Sequence, residues 1–560
     1  MNHPIKFTEE IIDKILNELI YELFINRNKI KVLKKYKLEE ISLLYYQQSY
    51  ISISIFFNKL IFLLEKNKSN LYDIKDFNKK KIKQNFYIFN DTQNIINLHY
   101  FDYDYNNKVL FSLKKIIQKN NYQLITNTIK FKRINVINPI SDFLKRFIFL
   151  NKTSLNYVYE SSKWMDCIFD KNNRFYTFQN LNFISINFKY REIIKQIAYK
   201  VIKKNLKKYF TFNSEYIEKN ISKFFSEYYN SFISLKLLER IPNIEQTHKK
   251  FLHKNKVKTV HSCNGYYYSD EFKIFCIIAK QKGASLISHS HGVNNFMQII
   301  SNNNKIPNFY KSQCLYKHTD YFISWKSKLS ECDIWEGVDN RFKVKILNIG
   351  SVYLHNLRKW KPKNNKDKIL LFVGSPFRKH KISFCENSYE ENYKKNIRIK
   401  NFLEKSLKLY EKLTIIYKPF SHTYKKDPIN IFIKKISIDK KIYISKKSVT
   451  DLMYQADLVM FDSISTGFAE AVAIEAPTFI YNNEFEYNLA SKFGKKINDL
   501  LYQSDVIFYD EEKGLEIMKK LIVNKTNHNS KKLSNLQKFQ KAIAYPISKN
   551  NFLENMNNLI

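Results

Sequence analysis

The distribution of glycines constrains the fold of this chain more than any other feature of its sequence. All nine glycines lie between Gly265 and Gly514, and the first 264 residues contain none. Glycine marks tight turns and places where the backbone approaches a ligand, because it has no side chain to clash there. The first half is therefore predicted to be largely helical, and ligand-binding turns are expected in the second half.

Apolar periodicity agrees with helices in the N-terminal half. Apolar residues recur there at helical spacing in four segments, which are Ile11–Phe24, Ile41–Lys66, Tyr190–Tyr209 and Tyr216–Leu238. Two shorter segments, Gln84–Phe89 and Gln123–Phe131, read as strands. A mixed fold in this half therefore stays open.

From about residue 257 onward, short apolar runs alternate with helical stretches. The first block of predicted strands comprises Val257–Ser262, Ala284–Ser288, Tyr321–Trp325 and Val344–Ile349. After a Lys/Asn-rich linker near Lys361–Lys368, the second block comprises Ile369–Val373, Leu413–Tyr417, Ile442–Ser445, Leu458–Phe461 and Thr478–Tyr481. Such alternation predicts parallel sheets covered by helices. Two blocks of this kind form a cleft, with ligands at the carboxyl ends of the strands.

The net charge of the chain is strongly positive. Lysine and arginine number 94 against 52 aspartates and glutamates, which gives a formal charge of +42. This charge suits an anionic partner such as nucleic acid, an anionic membrane face or a phosphorylated substrate. The abundance of Lys, Asn, Ile, Tyr and Phe is also typical of A+T-rich coding, which raises charge without function. No RNP, zinc-finger or helix-turn-helix pattern occurs, so we expect no specific nucleic-acid binding.

The cysteine pattern and the N-terminal residues indicate in which cellular compartment the protein is expected. None of the six cysteines forms a CxxC pair, so neither a zinc ribbon nor a thioredoxin-like site is predicted. The first residues are polar, and no stretch of about 20 uninterrupted apolar residues occurs. We expect a cytoplasmic protein, with peripheral contact to the inner face of an anionic membrane left open.

The segment Ala456–Tyr481 carries the strongest functional pattern. A strand is followed by a polar turn containing Ser463, Ser465 and Thr466, and then by a helix with Glu470 in its first turns. Free N–H groups and the positive end of the helix dipole bind phosphate. Glu470 cannot bind phosphate directly, and its expected role is to accept hydrogen bonds from ribose or sugar hydroxyls. The alternative is ordinary capping, with Ser465 or Thr466 as N-cap and Glu470 as a solvated first-turn acid.

This segment resembles the donor-binding stretch of GT-B glycosyltransferases. In those enzymes a strand, a Ser/Thr-rich turn and a helix with an acidic residue precede a strand that opens with proline, here Pro477. The closer resemblance is to transferases of O-antigen and surface-polysaccharide clusters, and a more distant one is to polyglycerol-phosphate (teichoic acid) polymerases. The resemblance covers roughly Leu252–Leu521 and implies two Rossmann-like domains that face a cleft.

The resemblance and the two blocks together predict four parts in an α/β fold. Residues 1–250 form a mainly helical region that belongs to the first domain or packs on it. Residues 251–360 form a Rossmann-like domain on the acceptor side, and residues 361–525 form a Rossmann-like domain that binds the nucleotide donor. Residues 526–560 form a helical tail.

A His-Gly pair is the second motif. The related families end a strand of the first domain in such a pair, and His291-Gly292 matches it. Ser290 stands where glutamine is common in the polysaccharide group, and Val293 and Asn294 replace two expected glycines. These departures weaken the assignment to that subgroup.

Histidine suits the removal of a proton from an acceptor hydroxyl near neutral pH. His291 is the predicted catalytic base, with His289 as a second candidate because residues two apart on a strand share one face. The alternatives are a loop histidine that bonds to backbone and a histidine pair that holds a metal. No carboxylate or cysteine stands at ligand spacing, so no metal is predicted.

The third motif, Gly374-Ser375, opens the second block directly after the run ILLFV. A Gly-Ser turn lets backbone approach a diphosphate, and the nearby Arg378 can bind phosphate with two hydrogen bonds. The pattern is not a Walker A loop. The alternative is an ordinary turn between a strand and a helix.

The fourth motif is Lys418-Pro419, at the end of the predicted strand Leu413–Tyr417. The related families favour Lys-Pro-His here, but Phe420 replaces the histidine, and His422 lies two residues further on. The alternative is a solvated lysine at a strand end.

The function that the resemblance implies is transfer of a sugar from a nucleotide-activated donor to a saccharide or lipid-linked acceptor, without a metal or cofactor. Ser463, Ser465 and Thr466 would hold the donor phosphates, and Arg378 and Lys418 would neutralise the leaving diphosphate. A polyol-phosphate transferase with a CDP-linked donor is one alternative. A non-catalytic, basic nucleic-acid-binding or scaffold protein is another.

Overall fold

The N-terminal half is mainly helical in a computed structural model of the protein. The structure describes residues 9–66, 87–88, 103–118, 130–131, 156–158, 163–169, 186–212, 214–292, 318–327, 344–362, 367–377, 389–420, 427–436, 441–482, 492–523 and 530–558. The helices before residue 255 are α1 (Glu9–Ile25), α2 (Leu38–Lys66), α3 (Tyr103–Gln118), α4 (Lys163–Asp166), α5 (Phe188–Tyr209), α6 (Glu215–Phe232) and α7 (Ile241–Lys254), with short 3-10 turns at Arg27–Lys29 and Lys31–Leu33. The four predicted helices are confirmed as α1, α2, α5 and α6.

Both segments left open as strands contain short ones. Strands β1 (Tyr87–Ile88) and β2 (Lys130–Phe131) pair in parallel as a sheet of two. The surrounding helices bury apolar faces against each other, α1 on α2 and α5 on α6. Side-chain caps fix two helix starts, because Asn187 and Ser214 accept hydrogen bonds from backbone N–H groups of α5 and α6.

The first Rossmann-like unit is a sheet of five parallel strands. Its spatial order follows the chain, with β3 (Asn156–Val158), β4 (Thr259–Ser262), β5 (Ser285–His289), β6 (Tyr321–Ser324) and β7 (Lys345–Asn348). The helices α8 (Gly265–Tyr268), α9 (Asp270–Gln281) and α10 (Val352–His355) follow its strands. The N-terminal half therefore supplies the edge strand β3, and α2 and α7 pack on α9.

The second unit is a sheet of six parallel strands. They are β8 (Lys368–Val373), β9 (Leu413–Lys418), β10 (Ile442–Ile444), β11 (Leu458–Phe461), β12 (Thr478–Tyr481) and β13 (Ile507–Phe508), in the spatial order β10-β9-β8-β11-β12-β13. Its helices are α11 (Tyr389–Leu409), α12 (Pro428–Ile436), α13 (Val449–Met453), α14 (Thr466–Ala473), α15 (Lys492–Tyr502) and α16 (Glu511–Val523). The strand order reverses between β8 and β11, which is where open parallel sheets bind ligands.

The C-terminal segment crosses from the second unit back to the first. Helix α17 (Ser530–Ile543) packs on α14 and α15, and α18 (Lys549–Asn557) follows it. Between them, the backbone N–H of Tyr545 donates to Trp325 O at 2.9 Å, and Phe552 of α18 lies in the core of the first unit. None of the helices in the described residues is long and apolar enough to span a membrane. The predicted fold class, two Rossmann-like domains preceded by a helical region, is confirmed.

Candidate functional site

The turn after β11 forms a helix start at the carboxyl edge of the second sheet. Ser465 has extended backbone angles, and its Oγ accepts a hydrogen bond from the Phe468 N–H at 3.3 Å, so Ser465 is the N-cap of α14. Ser465, Thr466 and Gly467 are each partly exposed. The first turn of a helix directs N–H groups outward and carries positive potential, which suits an anion.

Asp462 connects this turn to the turn after β8. Both of its carboxylate oxygens accept from the Ser375 N–H, at 3.0 and 2.9 Å, and one accepts from the Ser375 hydroxyl at 2.7 Å. The ammonium of Lys395, on α11, lies 3.5 Å from the same carboxylate. The Ser463 hydroxyl lies 3.4 Å from it. The reversal point between β8 and β11 is thus bridged by a buried carboxylate and a buried ammonium.

Asp462 and Lys395 were missed as site residues by sequence reasoning. The signal for Asp462 was its position directly after the run LVMF, since the residue that follows a parallel strand lies at the ligand-binding edge. Lys395 lies on a helix, where nothing in the local sequence distinguishes it from other lysines. The Ser375 N–H, expected to face a diphosphate, donates to Asp462 in this arrangement.

The Gly374 position allows close packing of a tyrosine. A β-carbon at Gly374 would lie 3.0 Å from the Tyr417 ring, and the Tyr417 hydroxyl donates to Asp427 at 3.1 Å. Asp427 also accepts from the Asn396 amide at 2.9 Å. Burial raises the pKa of Asp427 to about 6. A second buried acid therefore lies next to the β8 turn.

Lys418 ends β9 beside Gly374. Its carbonyl accepts from the Gly374 N–H at 3.1 Å, and its ammonium lies 3.4 Å from the carbonyl of Lys446. The backbone thus places Lys418 at the carboxyl edge as predicted, with its side chain towards the β10 end. Arg378 and His422 lie outside the described residues.

The His-Gly pair of the first unit meets the helix start of the second. Gly292 has φ of +149°, a conformation that L side chains rarely adopt, and a β-carbon there would lie 2.1 Å from the Thr466 Oγ1 atom. The Ser290 hydroxyl donates to the Gly292 carbonyl at 2.7 Å and fixes the turn. Glycine is required here by both the backbone angle and the contact between the two units.

His291 is partly exposed and has two neighbours that orient its ring. Its Nδ1 atom lies 3.0 Å from the Asn264 side-chain amide, and the Trp164 ring packs edge-on against it with centroids 4.5 Å apart. The orientation of an asparagine amide is assigned by its hydrogen bonds. The structure places the Asn264 Nδ2 atom on Nδ1, an orientation in which Nδ1 accepts and Nε2 carries the proton. The opposite amide orientation, with the carbonyl on Nδ1, makes Nε2 the basic atom.

His289 has the surroundings of a core residue. Its side chain is buried, its Nε2 atom lies 3.0 Å from Nδ1 of His261, and Phe169 and Phe552 contact its ring. Burial lowers the pKa of His289 to about 3 and that of His261 well below its usual value. Strand β5 ends at His289, so the shared face expected for His289 and His291 does not form.

Glu470 points into the boundary between the units. One oxygen accepts from the Tyr353 hydroxyl of α10 at 3.0 Å, and the other accepts from the Thr450 hydroxyl of α13 at 3.1 Å. The side chain is only 3% exposed, so it is not the solvated first-turn acid of the capping alternative. Its expected role towards a donor hydroxyl stays a prediction.

A cavity lies at the carboxyl edge of the first sheet. Aromatic side chains of Trp164, Trp325 and Tyr353 line it together with the polar residues Ser290 and Ser351. With a volume of about 10 Å³ the cavity has room for about one water molecule, so it is far smaller than a substrate pocket. Trp164 belongs both to this wall and to the surroundings of His291. Within the described residues, no group of three or more His, Cys, Asp or Glu side chains is placed to hold a metal ion.

Comparison with known families decides the class of the protein. Residues 40–515 match the profile of a family described as LIC12162 family transferase. The chain belongs to this family. It is therefore a transferase, and the LIC12162 family match covers part of the helical N-terminal half as well as both Rossmann-like units. No curated protein matches the chain.

Similar solved structures were found at low identity. A mutant of S. aureus TarM in complex with fondaparinux, alpha-GlcNAc-glycerol and UDP is 14% identical, with 57% of this chain and 58% of that chain covered and a TM-score of 0.35. The pneumococcal O-GlcNAc transferase GtfA in complex with UDP and GlcNAc is 12% identical, with 56% and 58% covered and a TM-score of 0.34. The S. aureus MnaA-UDP structure is 11% identical, with 57% and 80% covered and a TM-score of 0.35. These TM-scores are low, so the function proposed below is based on the family and the site geometry.

Proposed function

We propose that this LIC12162 family transferase moves a sugar from a nucleotide-activated donor to a surface-polysaccharide or glycolipid acceptor, in the cleft between its two Rossmann-like units. The observation that carries the proposal is the contact between Gly292 and Thr466. It puts a histidine-bearing turn of one unit beside a helix start of the other. In this proposal a proton acceptor and an anion-binding element would lie next to each other, which suits transfer from a diphosphate donor.

The donor phosphates would bind at the start of α14. Ser463, Ser465 and Thr466 offer hydroxyl groups there, and the helix N-terminus offers N–H groups and positive potential. Arg378, together with Lys418 once its ammonium has turned away from the Lys446 carbonyl, would neutralise the charge that develops on the leaving diphosphate. No cofactor is needed for this chemistry, and we propose that it proceeds without a metal.

The acceptor hydroxyl would approach His291 from the first unit. In this proposal the Asn264 amide turns so that its carbonyl accepts from Nδ1–H of His291. The Nε2 atom then takes the proton as the hydroxyl oxygen attacks the anomeric carbon of the donor. The bond from that carbon to the diphosphate breaks, and the electron pair leaves with the phosphate oxygen. His289 is not part of this proposal, because it is buried and its pKa is about 3.

The acceptor and its membrane are a further part of the proposal. We propose that a lipid-linked acceptor is presented at the inner face of an anionic membrane, which the charge of +42 would attract. Co-sedimentation with anionic vesicles, and none with neutral vesicles at the same salt concentration, is the expected result. Equal recovery with both vesicle types would contradict it.

A screen of activated donors tests the proposed reaction. The purified chain is heated with UDP-, GDP-, CDP- and CMP-linked donors, and a rise in melting temperature identifies the nucleotide. Turnover is then followed as release of that nucleotide in the presence of a lipid-linked saccharide. A UDP or GDP sugar that is consumed supports sugar transfer, whereas release of CMP from CDP-glycerol supports the polyol-phosphate alternative. Binding of random RNA with a steep salt slope, and no shift with any donor, would point to the non-catalytic alternative.

A further inference from the structure

A hydrogen bond between Tyr353 and Glu470 joins the two Rossmann-like units through buried side chains. Tyr353 lies on α10 of the first unit and is 7% exposed, and Glu470 lies on α14 of the second unit and is 3% exposed. Thr450 holds the other carboxylate oxygen from within the second unit. The carboxylate thus has one partner that stays with it and one that depends on the arrangement of the two units.

Each side of this bond leads directly to a residue of the proposed site. On the second unit, Glu470 is four residues after Thr466 in the same helix, so both lie on one face of α14. On the first unit, the Tyr353 ring packs edge-on against Trp164 with centroids 6.0 Å apart, and Trp164 packs against His291. A continuous set of contacts therefore runs from the helix start to the proposed base.

The chemistry of the pair suits a fixed contact. Burial raises the pKa of the Tyr353 hydroxyl far above its usual value, so this group stays protonated and donates at any physiological pH. The acceptor is a carboxylate, and hydrogen bonds to charged groups are stronger than neutral ones. Removing the hydroxyl leaves a buried carboxylate with one fewer donor.

We propose that Tyr353 is a positioning residue whose hydrogen bond to Glu470 aligns the His291-Gly292 turn with the start of α14. The consequence for turnover rests on the proposed function, whereas the consequence for alignment does not. Tyr353 does not contact the reacting atoms in this account. It holds the two units at the separation that places the proton acceptor beside the donor phosphates.

The test compares Tyr353→Phe with the matched variant Tyr454→Phe. Tyr454 also donates from the second unit to the chain after α10, but its acceptor is the backbone carbonyl of Arg358 at 2.8 Å. Amide hydrogen exchange of the ligand-free protein is measured by mass spectrometry for peptides covering 286–292 and 463–470. We expect Tyr353→Phe to exchange faster than the wild type in both peptides. We expect Tyr454→Phe to exchange at the wild-type rate in both peptides.

Turnover and nucleotide binding supply the second readout. Tyr353→Phe is expected to lower kcat about tenfold to a hundredfold, since small misplacements of reacting groups have effects of that size. The Kd for UDP, measured by calorimetry, is expected to stay within about twofold, because the phosphate site belongs to the second unit alone. Glu470→Gln keeps a carbonyl oxygen for the Tyr353 hydroxyl and is expected to retain the exchange protection.

Two results would overturn the proposal. One is unchanged exchange in Tyr353→Phe at both peptides. The other is tighter UDP binding with undiminished kcat, which would mean that Tyr353 competes with the donor for Glu470. A wild-type protein that binds neither UDP nor any other nucleotide of the thermal-shift screen would count against the nucleotide donor proposed above, while the exchange comparison would still decide the role of Tyr353.

Discussion

The carboxyl edges of the two sheets are built from opposite kinds of buried group. In the first unit, strands β4 and β5 place His261 and His289 at the edge, both held neutral by burial. In the second unit, the edge carries the carboxylates of Asp462 and Asp427 and the ammonium of Lys395. The comparison teaches that burial keeps the edge of the first sheet uncharged, whereas the edge of the second sheet is organised by buried charged groups.

Replacing His291, the partly exposed histidine of the first unit, is expected to have the largest effect. His291→Ala removes the proposed proton acceptor, and a general base contributes about 10²- to 10⁴-fold to a rate. We expect kcat to fall by that order with the Kd of the donor nucleotide nearly unchanged. Steady-state kinetics and calorimetry measure the two quantities, and full turnover in the variant would remove the base assignment.

The buried histidines predict that acid destabilises the first unit. Above pH 6.5 His289 is neutral in both the folded and the unfolded protein. Below pH 6.5 its imidazole becomes protonated in the unfolded chain, whereas in the folded protein it stays neutral down to about pH 3. Stability is therefore lost as pH falls through this window, by about 2 kcal/mol at pH 5 for this residue. Urea unfolding should show a weaker pH dependence in His289→Gln than in the wild type. The exposed His355 offers the control, and His355→Gln should follow the wild type.

Asp427 makes the stability of the second unit depend on pH in the opposite direction. Its pKa is raised from 3.8 to about 6, so its contribution to stability is complete below pH 3.8 and is lost as pH rises through 6. The loss is about 3 kcal/mol when complete. Asp427→Asn keeps acceptor and donor groups for the Asn396, Ile429 and Tyr417 partners.

The stability of Asp427→Asn relative to the wild type should therefore increase by about 2 kcal/mol between pH 4 and pH 7. Urea unfolding across that range measures the difference, and Asp451→Asn, at an exposed aspartate, serves as the control. A constant difference across the range would show that Asp427 does not titrate in this window.

The smallest predicted effect concerns the orientation of the base. Asn264→Asp offers Nδ1 of His291 only acceptor atoms, which fixes Nε2 as the basic atom and favours the imidazolium. The acid limb of the pH–rate profile is expected to move upward by about one pH unit, with maximal kcat changed less than about tenfold. A profile that does not move would mean that this amide does not set the tautomer.

The second half of the fold could be predicted closely because its strands are buried on both faces. The run Leu458–Phe461 lies between two aspartates, and Thr478–Tyr481 lies between Pro477 and Asn482; both are strands with those bounds. Several other elements were not predicted, among them β3, β13, α3 and α7. The two-residue strand β13 pairs with β12 through tertiary packing that no local pattern encodes.

The candidate site also contains features that the sequence predicts and features that it does not. Turn residues that follow strands, such as Ser465 and Gly292, could be found because the topology of a parallel sheet places them at one edge. Contacts between distant segments could not be found, since Tyr353 and Glu470 are 117 residues apart and Ser375 and Asp462 are 87 apart. Their pairing depends on how the two sheets and their helices pack.

A crystal structure with the nucleotide that gives the largest thermal shift would test the central claim most directly. The account predicts diphosphate oxygens within hydrogen-bonding distance of Ser465, Thr466 and the first N–H groups of α14, with the His291 ring facing the same space. A nucleotide bound elsewhere, or a diphosphate directed away from His291, would contradict it.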